Sequence, residues 1–277
     1  MISAIVLNYK TPKATLKCVE SLKNKPNISN IIVVNNDTED DSLNIIDLKN
    51  SDIVLHIIHT GENLGYARGN NFGVKFILNN NIEASHILIA NSDIIVPVEF
   101  SFTPLIKAIS SDSRIGIISP KIIELNSNKS QGPYLKEFIL FSFLESVFPI
   151  LFFARKIFSK YYFKKSKFVY RTMGSFLFVE LEVFKKINFF DSNTFLGSEE
   201  DILSEKLKLV NKKFYYYNDQ FVFHDHGYSR KKIDSKLIDD YFLKSKIYYF
   251  RNYRKNVNIK MLVITYKIKN FLNNYKW

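Results

Sequence analysis

The sequence has very little cysteine, no internal repeat and no low-complexity linker. Cys18 is the single cysteine among 277 residues, so an intramolecular disulfide is impossible and a cysteine-rich zinc module is excluded. A reducing compartment fits this composition. The chain is 46% hydrophobic and long enough to bury a proper core. The polar loop over residues 126–132 is the best point of subdivision, which predicts two halves of one domain, 1–125 and 126–235, and a tail over 236–277.

Two kinds of hydrophobic targeting segment are also missing. The N-terminus lacks a basic leader and a small-residue cleavage site, so we interpret residues 2–7 as a first strand and expect a cytoplasmic protein. The apolar stretch over residues 138–153 contains Glu145 and Pro149 and falls short of the ~20 residues that a spanning helix needs. We therefore expect this stretch to be buried or to lie at a membrane surface.

Basic residues are in excess only in the second part of the chain. The net charge is +12, yet residues 1–130 carry 12 Lys and Arg against 13 Asp and Glu, whereas residues 131–277 carry 27 against 14. The basic excess therefore belongs wholly to the second part. Its partner is expected to be anionic: a membrane surface, a phosphorylated substrate or nucleic acid.

Strand and helix patterns alternate along the first 90 residues. Apolar runs predict strands over 2–7, 31–34, 53–58 and 86–90. Helical patterns lie between them, the first starting at Thr11 and Pro12 and the others covering 43–48 and 67–78. This rhythm predicts an α/β fold with a mostly parallel sheet and helical crossovers.

The second half continues with shorter elements. A strand over 176–180 leads to a helix near Val183, and a helical pattern over 202–210 follows an acidic cluster. Two short strands are predicted over 214–217 and 221–224. The tail from Leu237 onward has a basic, aromatic and helical pattern.

The tripeptide Asn91-Ser92-Asp93 follows the buried strand that stops at Ala90. A strand ending on an aspartate places a carboxylate at the carboxyl edge of the sheet, where open α/β folds bind their ligands. Mg²⁺ or Mn²⁺ needs only one or two protein carboxylates when phosphates supply other ligands. The alternative is an ordinary cap or turn before Pro97.

A second acidic cluster, Glu199-Glu200-Asp201, opens a predicted helix. Carboxylates favour the positive end of the helix dipole, which is an adequate structural reason for them. Crowded like charges also raise the pKa of one member, which suits a general base. Spacing alone favours the structural reading.

His224 and His226 alternate on a predicted strand and so share one face. They could both reach a metal or a phosphate, but without a third nearby ligand they do not make a closed zinc site. A pair of surface histidines is the alternative.

Two further polar segments follow strands at the same edge. The cluster Asn35-Asn36-Asp37 could hydrogen-bond a base, or form an ordinary turn. The loop over residues 61–71 has glycines at its turn and precedes a helix, so its N–H groups could face a phosphate. Its glycines lie four apart, which fits neither a Walker loop nor a dinucleotide fingerprint.

Taken in order, these segments resemble family 2 glycosyltransferases with the GT-A fold, over about residues 1–255. The motifs that carry the resemblance are AIVLNY (4–9), IIVVNND (31–37), NLGYARGNN (63–71), ILIANSD (87–93), GSFLF (174–178), FLGSEEDIL (195–203) and VFH (222–224). The set is most similar to the bacterial rhamnosyltransferase-like branch of surface polysaccharide synthesis.

The resemblance implies a role for each matching residue. The nucleotide would be held by Asn8, Tyr9, Asn35, Asn36, Asp37, Gly65, Arg68, Asn70 and Ser92. Asp93 takes the place of the metal-binding aspartate and His224 approaches the metal or diphosphate, with Mg²⁺ or Mn²⁺ as cofactor. The base is Glu200 when the motif is aligned on Leu203, or Asp201 on a literal Glu-Asp match. Two positions depart from the family pattern, because Asn35 and Asn91 stand where acidic residues are usual.

We therefore expect an inverting glycosyltransferase that uses a UDP- or dTDP-linked sugar and a lipid-linked or glycan acceptor. The basic second part and residues 138–153 favour peripheral attachment to the inner face of the cell membrane. The alternative is a basic, nucleic-acid-binding protein without enzymatic activity. That alternative leaves Asp93 and the acidic cluster unexplained, so no nucleic acid is expected as a partner.

Overall fold

The sheet of this protein contains ten strands in the part of the chain that the structure describes. The structure is a computed structural model, and it describes residues 1–37, 43, 52–135, 164–225, 235–254, 259–260, 262–264 and 266. The strands are β1 (Ile2–Asn8), β2 (Ile28–Asn35), β3 (Val54–His59), β4 (His86–Asn91), β5 (Ile94–Ile95), β6 (Ile115–Glu124), β7 (Ser130–Gln131), β8 (Lys167–Val169), β9 (Phe176–Glu180) and β10 (Lys213–His224). Their order in the sheet is β3-β2-β1-β4-β9-β6-β10-β5, with β7 beside β6 and β8 beside β10.

Helices connect and cover these strands. They are α1 (Pro12–Leu22), α2 (Gly65–Asn79), α3 (Thr103–Ser111), α4 (Leu181–Lys186), α5 (Glu199–Leu209) and α6 (Ser235–Tyr253). Within the described ranges, no helix combines the length and the hydrophobicity that crossing a bilayer requires.

Most of the long strands end at the same edge of the sheet. β3, β2, β1 and β4 are parallel to one another. β9 is antiparallel to both β4 and β6, so β6 shares the direction of β4, and β10 is parallel to β6. The amino end of β9 therefore lies at the same edge of the sheet as the carboxyl ends of β1, β2, β4, β6 and β10. This arrangement gathers distant parts of the sequence at one edge.

Apolar side chains cover both faces of the sheet. Along β1, Ala4 and Val6 belong to one buried cluster, which includes residues of α1 and α3, while Ile5 belongs to a second cluster with α2, α4 and α5. A sheet buried on both faces needs strands with apolar residues at consecutive positions, and β1 has such a sequence. A third, smaller cluster joins α6 to α5 through Ile202 and Tyr249.

The predicted α/β class with a central sheet flanked by helices is confirmed. The elements β5 to β8 and α3, which lie between residues 94 and 169, were not predicted from the sequence. The strands predicted over 214–217 and 221–224 are one strand, β10, with a register shift between Tyr217 and Phe221. This irregularity interrupts the apolar alternation and explains the predicted break. Three predicted features lie outside the described residues: the helix over 43–48 except for residue 43, the stretch 138–153, and His226.

Candidate active site

A cavity of about 230 Å³ lies at the carboxyl edge of the sheet, beside the ends of β1 and β4. Several separate segments line it: Leu7 and residues 9–11 at and after the end of β1, Asn36 after β2, Asn63, Gly65 and Tyr66 around the start of α2, residues 91–93 after β4, and Phe195 and Leu196 before α5. Loops at the carboxyl ends of parallel strands form the usual ligand site of open α/β sheets. The cavity is therefore the candidate active site.

Asp93 lies in the turn between β4 and β5, next to the end of β10. The antiparallel pairing of β5 with β10 places Ile94 opposite His224. His224 Nε2 is 3.0 Å from Asp93 Oδ1, and each side chain is only 4% exposed. The backbone N–H of Asp225 also donates to the carbonyl of Asp93 at 2.8 Å. Two residues 131 positions apart thus form one buried acid and imidazole pair at the cavity.

The Asp93 and His224 pair fits a divalent cation. Adjacent ligands of an octahedral ion at about 2.1 Å lie about 3.0 Å apart, which matches the separation of the two ligand atoms. A carboxylate oxygen and an imidazole nitrogen are both ligands for Mn²⁺ and related ions. Among the described residues, no group of three or more His, Cys, Asp or Glu side chains could hold a metal. A pair is enough where phosphate oxygens supply the other positions.

Hydroxyl and amide groups behind the cavity form a buried network around Asn8. Thr11 and Thr15 donate their hydroxyls to Asn8 Oδ1 at 3.2 and 2.8 Å, and Thr11 Oγ1 lies 2.9 Å from Ser92 Oγ. Thr11 is at the N-cap position of α1, but its side chain makes no capping bond. Its hydroxyl instead connects the start of α1 to Ser92, next to Asp93.

Asn8 and Asn35 contact each other instead of lining the cavity. The strand register places Asn8 beside Asn35, and Asn35 beside His59. Asn8 Nδ2 donates to Asn35 Oδ1 at 3.0 Å, and Asn35 Nδ2 lies 3.3 Å from His59 Nδ1. Both asparagines are fully buried. Their side chains thus support the strand ends from behind.

Asn36 organises the loop that leads into α2. Its Nδ2 donates to Asn63 Oδ1 and to the carbonyl of Gly65, both at 3.2 Å, and its Oδ1 accepts the N–H of Leu64 at 2.9 Å. Gly65 has φ +78°, and a Cβ there would overlap the backbone oxygen of Phe195. The close approach of these two chains therefore requires glycine.

Glu200 is tied to the cavity wall through Gly174. The backbone N–H of Gly174 donates to Glu200 Oε1 at 2.7 Å, and the hydroxyl of Tyr66 donates to the carbonyl of Gly174 at 2.6 Å. The next residue, Ser175, accepts the N–H of Asn91 at 3.0 Å. Tyr66 and Asn91 both line the cavity. Two hydrogen bonds thus connect Glu200 to the same cavity that Asp93 lines.

Asp201 is engaged in a structural ion pair. Arg171 Nε lies 2.7 Å from Asp201 Oδ1, and the guanidinium stacks over the Tyr134 ring at 3.9 Å. The Asp201 side chain is 11% exposed. The guanidinium thus occupies one oxygen of Asp201, whereas Glu200 accepts a backbone N–H.

Glu199 is the most buried of the three acidic residues. Burial raises its pKa to about 8, and the neighbouring charge of Glu200 adds to the effect. Its Oε1 has no hydrogen-bond partner among the described residues. Burial and the carboxylates of Glu200 and Glu199 also raise the pKa of Tyr66, which therefore keeps its hydroxyl proton.

The predicted site residues divide into three groups. Tyr9, Asn36, Gly65, Ser92 and Asp93 line the cavity. Asn8, Asn35, Glu200 and His224 bond to lining residues or to direct partners of these residues, and Asp201 pairs with Arg171. The third group, which does not line the cavity, comprises Asp37, Arg68 and Asn70. Arg68 is about half exposed and lies 4.0 Å from Glu62, whereas Asn70 is buried and donates to the carbonyl of Tyr66.

Six residues of the wall were not assigned to ligand binding from the sequence: Leu7, Lys10, Thr11, Asn91, Phe195 and Leu196. Most of them belong to the motifs that carried the resemblance, so their position gave a signal. Lys10 and Thr11 lie outside these motifs. Lys10 follows the first motif directly and has φ +56°, a strained conformation that is found at functional sites.

Residues 3–185 match the family model described as glycosyl transferase family 2. Because the match extends over more than half of the chain, this protein belongs to that family. The matched part includes Asp93 and ends before Glu200 and His224. A search of the curated proteins gives no match.

Solved structures of glycosyltransferases share the fold. GalNAc-T7 with UDP, GalNAc and Mn²⁺ aligns with a TM-score of 0.62 and 13% identity, over 98% of this chain and 55% of that one. TarS 1–349 of S. aureus with UDP-GlcNAc aligns with a TM-score of 0.58 and 14% identity, over 94% and 68%. The mannosyltransferase PcManGT of Pyrobaculum calidifontis with GDP-Man and Mn²⁺ aligns with a TM-score of 0.58 and 10% identity, over 93% of this chain and 65% of that one. This chain thus spans about half the length of the GalNAc-T7 chain.

Proposed function

We propose that this protein transfers a sugar from a nucleotide diphosphate sugar to a hydroxyl of an acceptor, with inversion at the anomeric carbon. One observation carries the proposal: Asp93 lines the cavity, and Glu200 is linked through Gly174 to Tyr66, which lines the same cavity. Family membership supports the reaction class. UDP, UDP-GlcNAc and GDP-Man in similar structures support the donor class.

Each charged group has a distinct task in this reaction. Glu200 accepts the proton of the acceptor hydroxyl. The hydroxyl oxygen attacks the anomeric carbon, and the nucleotide diphosphate leaves from the opposite face. Asp93 and His224 would hold Mg²⁺ or Mn²⁺, which supplies positive charge to the leaving diphosphate. A general base contributes about 10² to 10⁴ in rate, so loss of Glu200 is expected to abolish most of the transfer.

The first experiment is a donor screen. Purified protein is incubated with UDP-, dTDP- and GDP-sugars in the presence of Mn²⁺ or Mg²⁺, and donor hydrolysis is measured. We expect turnover with UDP- or dTDP-linked sugars, including dTDP-rhamnose as the donor that the rhamnosyltransferase resemblance suggests. Absence of turnover and of binding for every donor would contradict the proposal.

The metal site is tested by calorimetry with UDP and Mn²⁺. Asp93→Asn keeps the size of the side chain but removes its charge, so we expect UDP affinity to lose its dependence on Mn²⁺. Asp112→Asn is the matched control, because Asp112 pairs with Arg114 just before the amino end of β6, at the opposite edge of the sheet. Equal Mn²⁺ dependence in the wild type and in Asp93→Asn would remove Asp93 from this role.

We also propose a lipid-linked or glycan acceptor and peripheral binding to an anionic membrane. The support is the charge of the sequence, since residues 131–277 hold the whole basic excess. Flotation with vesicles of anionic or neutral lipid tests this proposal. We expect binding to anionic vesicles that weakens as salt increases, and protein that stays unbound at low salt would contradict it.

A further inference from the structure

Gln131 contacts the ring nitrogen of His224 that faces away from Asp93. Gln131 Oε1 lies 2.7 Å from His224 Nδ1, while Nε2 of the same ring lies 3.0 Å from Asp93 Oδ1. The His224 side chain is 4% exposed, so solvent has little access to either nitrogen. Both edges of the imidazole therefore face specific protein oxygens.

The main chain fixes the position of Gln131. It is in β7, where it pairs with Ile122 of β6, and the intervening turn is closed by the N–H of Glu124, which donates to the carbonyl of Lys129 at 2.9 Å. β6 in turn pairs with β10 over most of its length, up to Glu124 beside His224. β7 and β10 thus flank β6 on opposite sides, and backbone pairing with β6 fixes where Gln131 and His224 lie at this edge of the sheet.

The chemistry of the two oxygens determines which nitrogen carries hydrogen. The atom of Gln131 that faces Nδ1 is its amide oxygen, which only accepts hydrogen bonds, so His224 Nδ1 is the donor in this arrangement. A neutral imidazole has one N–H, and Nε2 then presents a lone pair to the carboxylate oxygen of Asp93. Two lone-pair atoms 3.0 Å apart repel each other unless a positive charge is shared between them. A proton on Nε2 meets this requirement, and a divalent cation bound by both atoms meets it in place of the proton.

We propose that Gln131 is a positioning residue that holds His224 in the Nδ1–H tautomer, with Nε2 directed at a divalent cation beside Asp93. This inference rests on the proposed function, because the cation is the one that would neutralise the donor diphosphate. Partners of this kind behind a metal-binding histidine typically change metal affinity by about 10- to 100-fold when they are removed.

The test compares Mn²⁺ affinity, measured by electron paramagnetic resonance with UDP present, in three variants. Gln131→Met removes the acceptor at similar size, and we expect Mn²⁺ binding to weaken by about 10- to 100-fold. Gln131→Glu keeps an acceptor oxygen and is expected to restore most of the affinity. Gln220→Met is the matched control, because Gln220 accepts the N–H of Ser101 away from the cavity, and it should bind Mn²⁺ as the wild type does.

A second measurement observes the tautomer directly. Long-range ¹H–¹⁵N correlation spectra of the wild type with Mg²⁺ and UDP bound report which ring nitrogen of His224 carries hydrogen. We expect Nδ1–H, and a shift toward Nε2–H in Gln131→Met. A wild-type His224 with its hydrogen on Nε2 alone would overturn the inference, as would unchanged Mn²⁺ affinity in Gln131→Met. If the wild type itself fails to bind Mn²⁺ with UDP, the metal role within the proposed function fails instead.

Discussion

The backbone N–H of Gly174 donates to Oε1 of Glu200 at 2.7 Å, although the two residues are 26 positions apart in the sequence. A Cβ on residue 174 would overlap the same carboxylate oxygen, so glycine is needed for this contact. The bond fixes one oxygen of Glu200 and thereby the direction of the other. Gly174 thus holds the carboxylate that we propose as the base.

Glu200→Gln should stop sugar transfer and preserve donor binding. The glutamine oxygen can still accept the Gly174 N–H, so the loop keeps its shape, but an amide cannot take the acceptor proton. We expect turnover to fall about 10² to 10⁴-fold, with nucleotide affinity unchanged in calorimetry. Glu182→Gln, at an exposed carboxylate that pairs with Lys185, is the control. Wild-type turnover in Glu200→Gln would exclude Glu200 as the base.

Asp201→Asn should reduce stability, and its folded fraction should remain active. The substitution leaves the guanidinium of Arg171 without its charged partner at 2.7 Å. Breaking one side of such a pair costs about 3 kcal/mol, which urea denaturation would detect. Turnover is then measured per folded molecule at low temperature. A loss of turnover as large as that of Glu200→Gln, at unchanged stability, would assign the base to Asp201 instead.

Gly61→Ala and Gly65→Ala separate backbone strain from steric overlap. The two glycines have almost the same φ, +76° and +78°, but a Cβ at residue 61 meets nothing within 4 Å whereas one at residue 65 overlaps the backbone of Phe195. We expect Gly61→Ala to cost about 1 to 2 kcal/mol of unfolding free energy. Gly65→Ala should cost about 1 to 3 kcal/mol more, because its neighbour is main chain.

The same pair of variants also reports on the cavity. Tyr66 donates its backbone N–H to the carbonyl of Phe195 at 2.8 Å, and both side chains belong to the cavity wall. Gly65→Ala must push these chains apart and should weaken nucleotide binding, whereas Gly61→Ala should not. Equal stability and equal affinity of the two variants would contradict the structural role of this contact.

Strands β1 to β4 could be predicted from sequence because their signals are local. Each is a short apolar run, and Asp93 comes two residues after the end of β4, so its place at the carboxyl edge needs no knowledge of distant residues. The pairing of Asp93 with His224 could not be predicted in this way. It depends on β5 and β10 meeting in antiparallel register, 131 residues apart.

The asparagines at the strand ends show a second limit of sequence reasoning. Asn8 and Asn35 have the residue type and the edge position of nucleotide contacts, yet the parallel register places them side by side and their amides bond to each other. Asn36, one position later, lines the cavity instead. Successive residues of a strand point to opposite sides, so one position decides between support and contact.

Glu199 should make the stability of this protein depend on pH near neutrality. Burial raises its pKa from 4.5 to about 8, so the folded protein retains a proton that the unfolded chain releases above about 4.5. The stabilisation linked to this proton is complete below pH 4.5 and is lost as the pH rises toward 8, at about 1.4 kcal/mol for each unit of pKa shift. Glu199→Gln, which stays neutral, should remove this dependence. Urea denaturation between pH 5 and 9 measures how the free energy of unfolding changes with pH in both proteins. If the variant lost as much stability as the wild type, another group would be responsible.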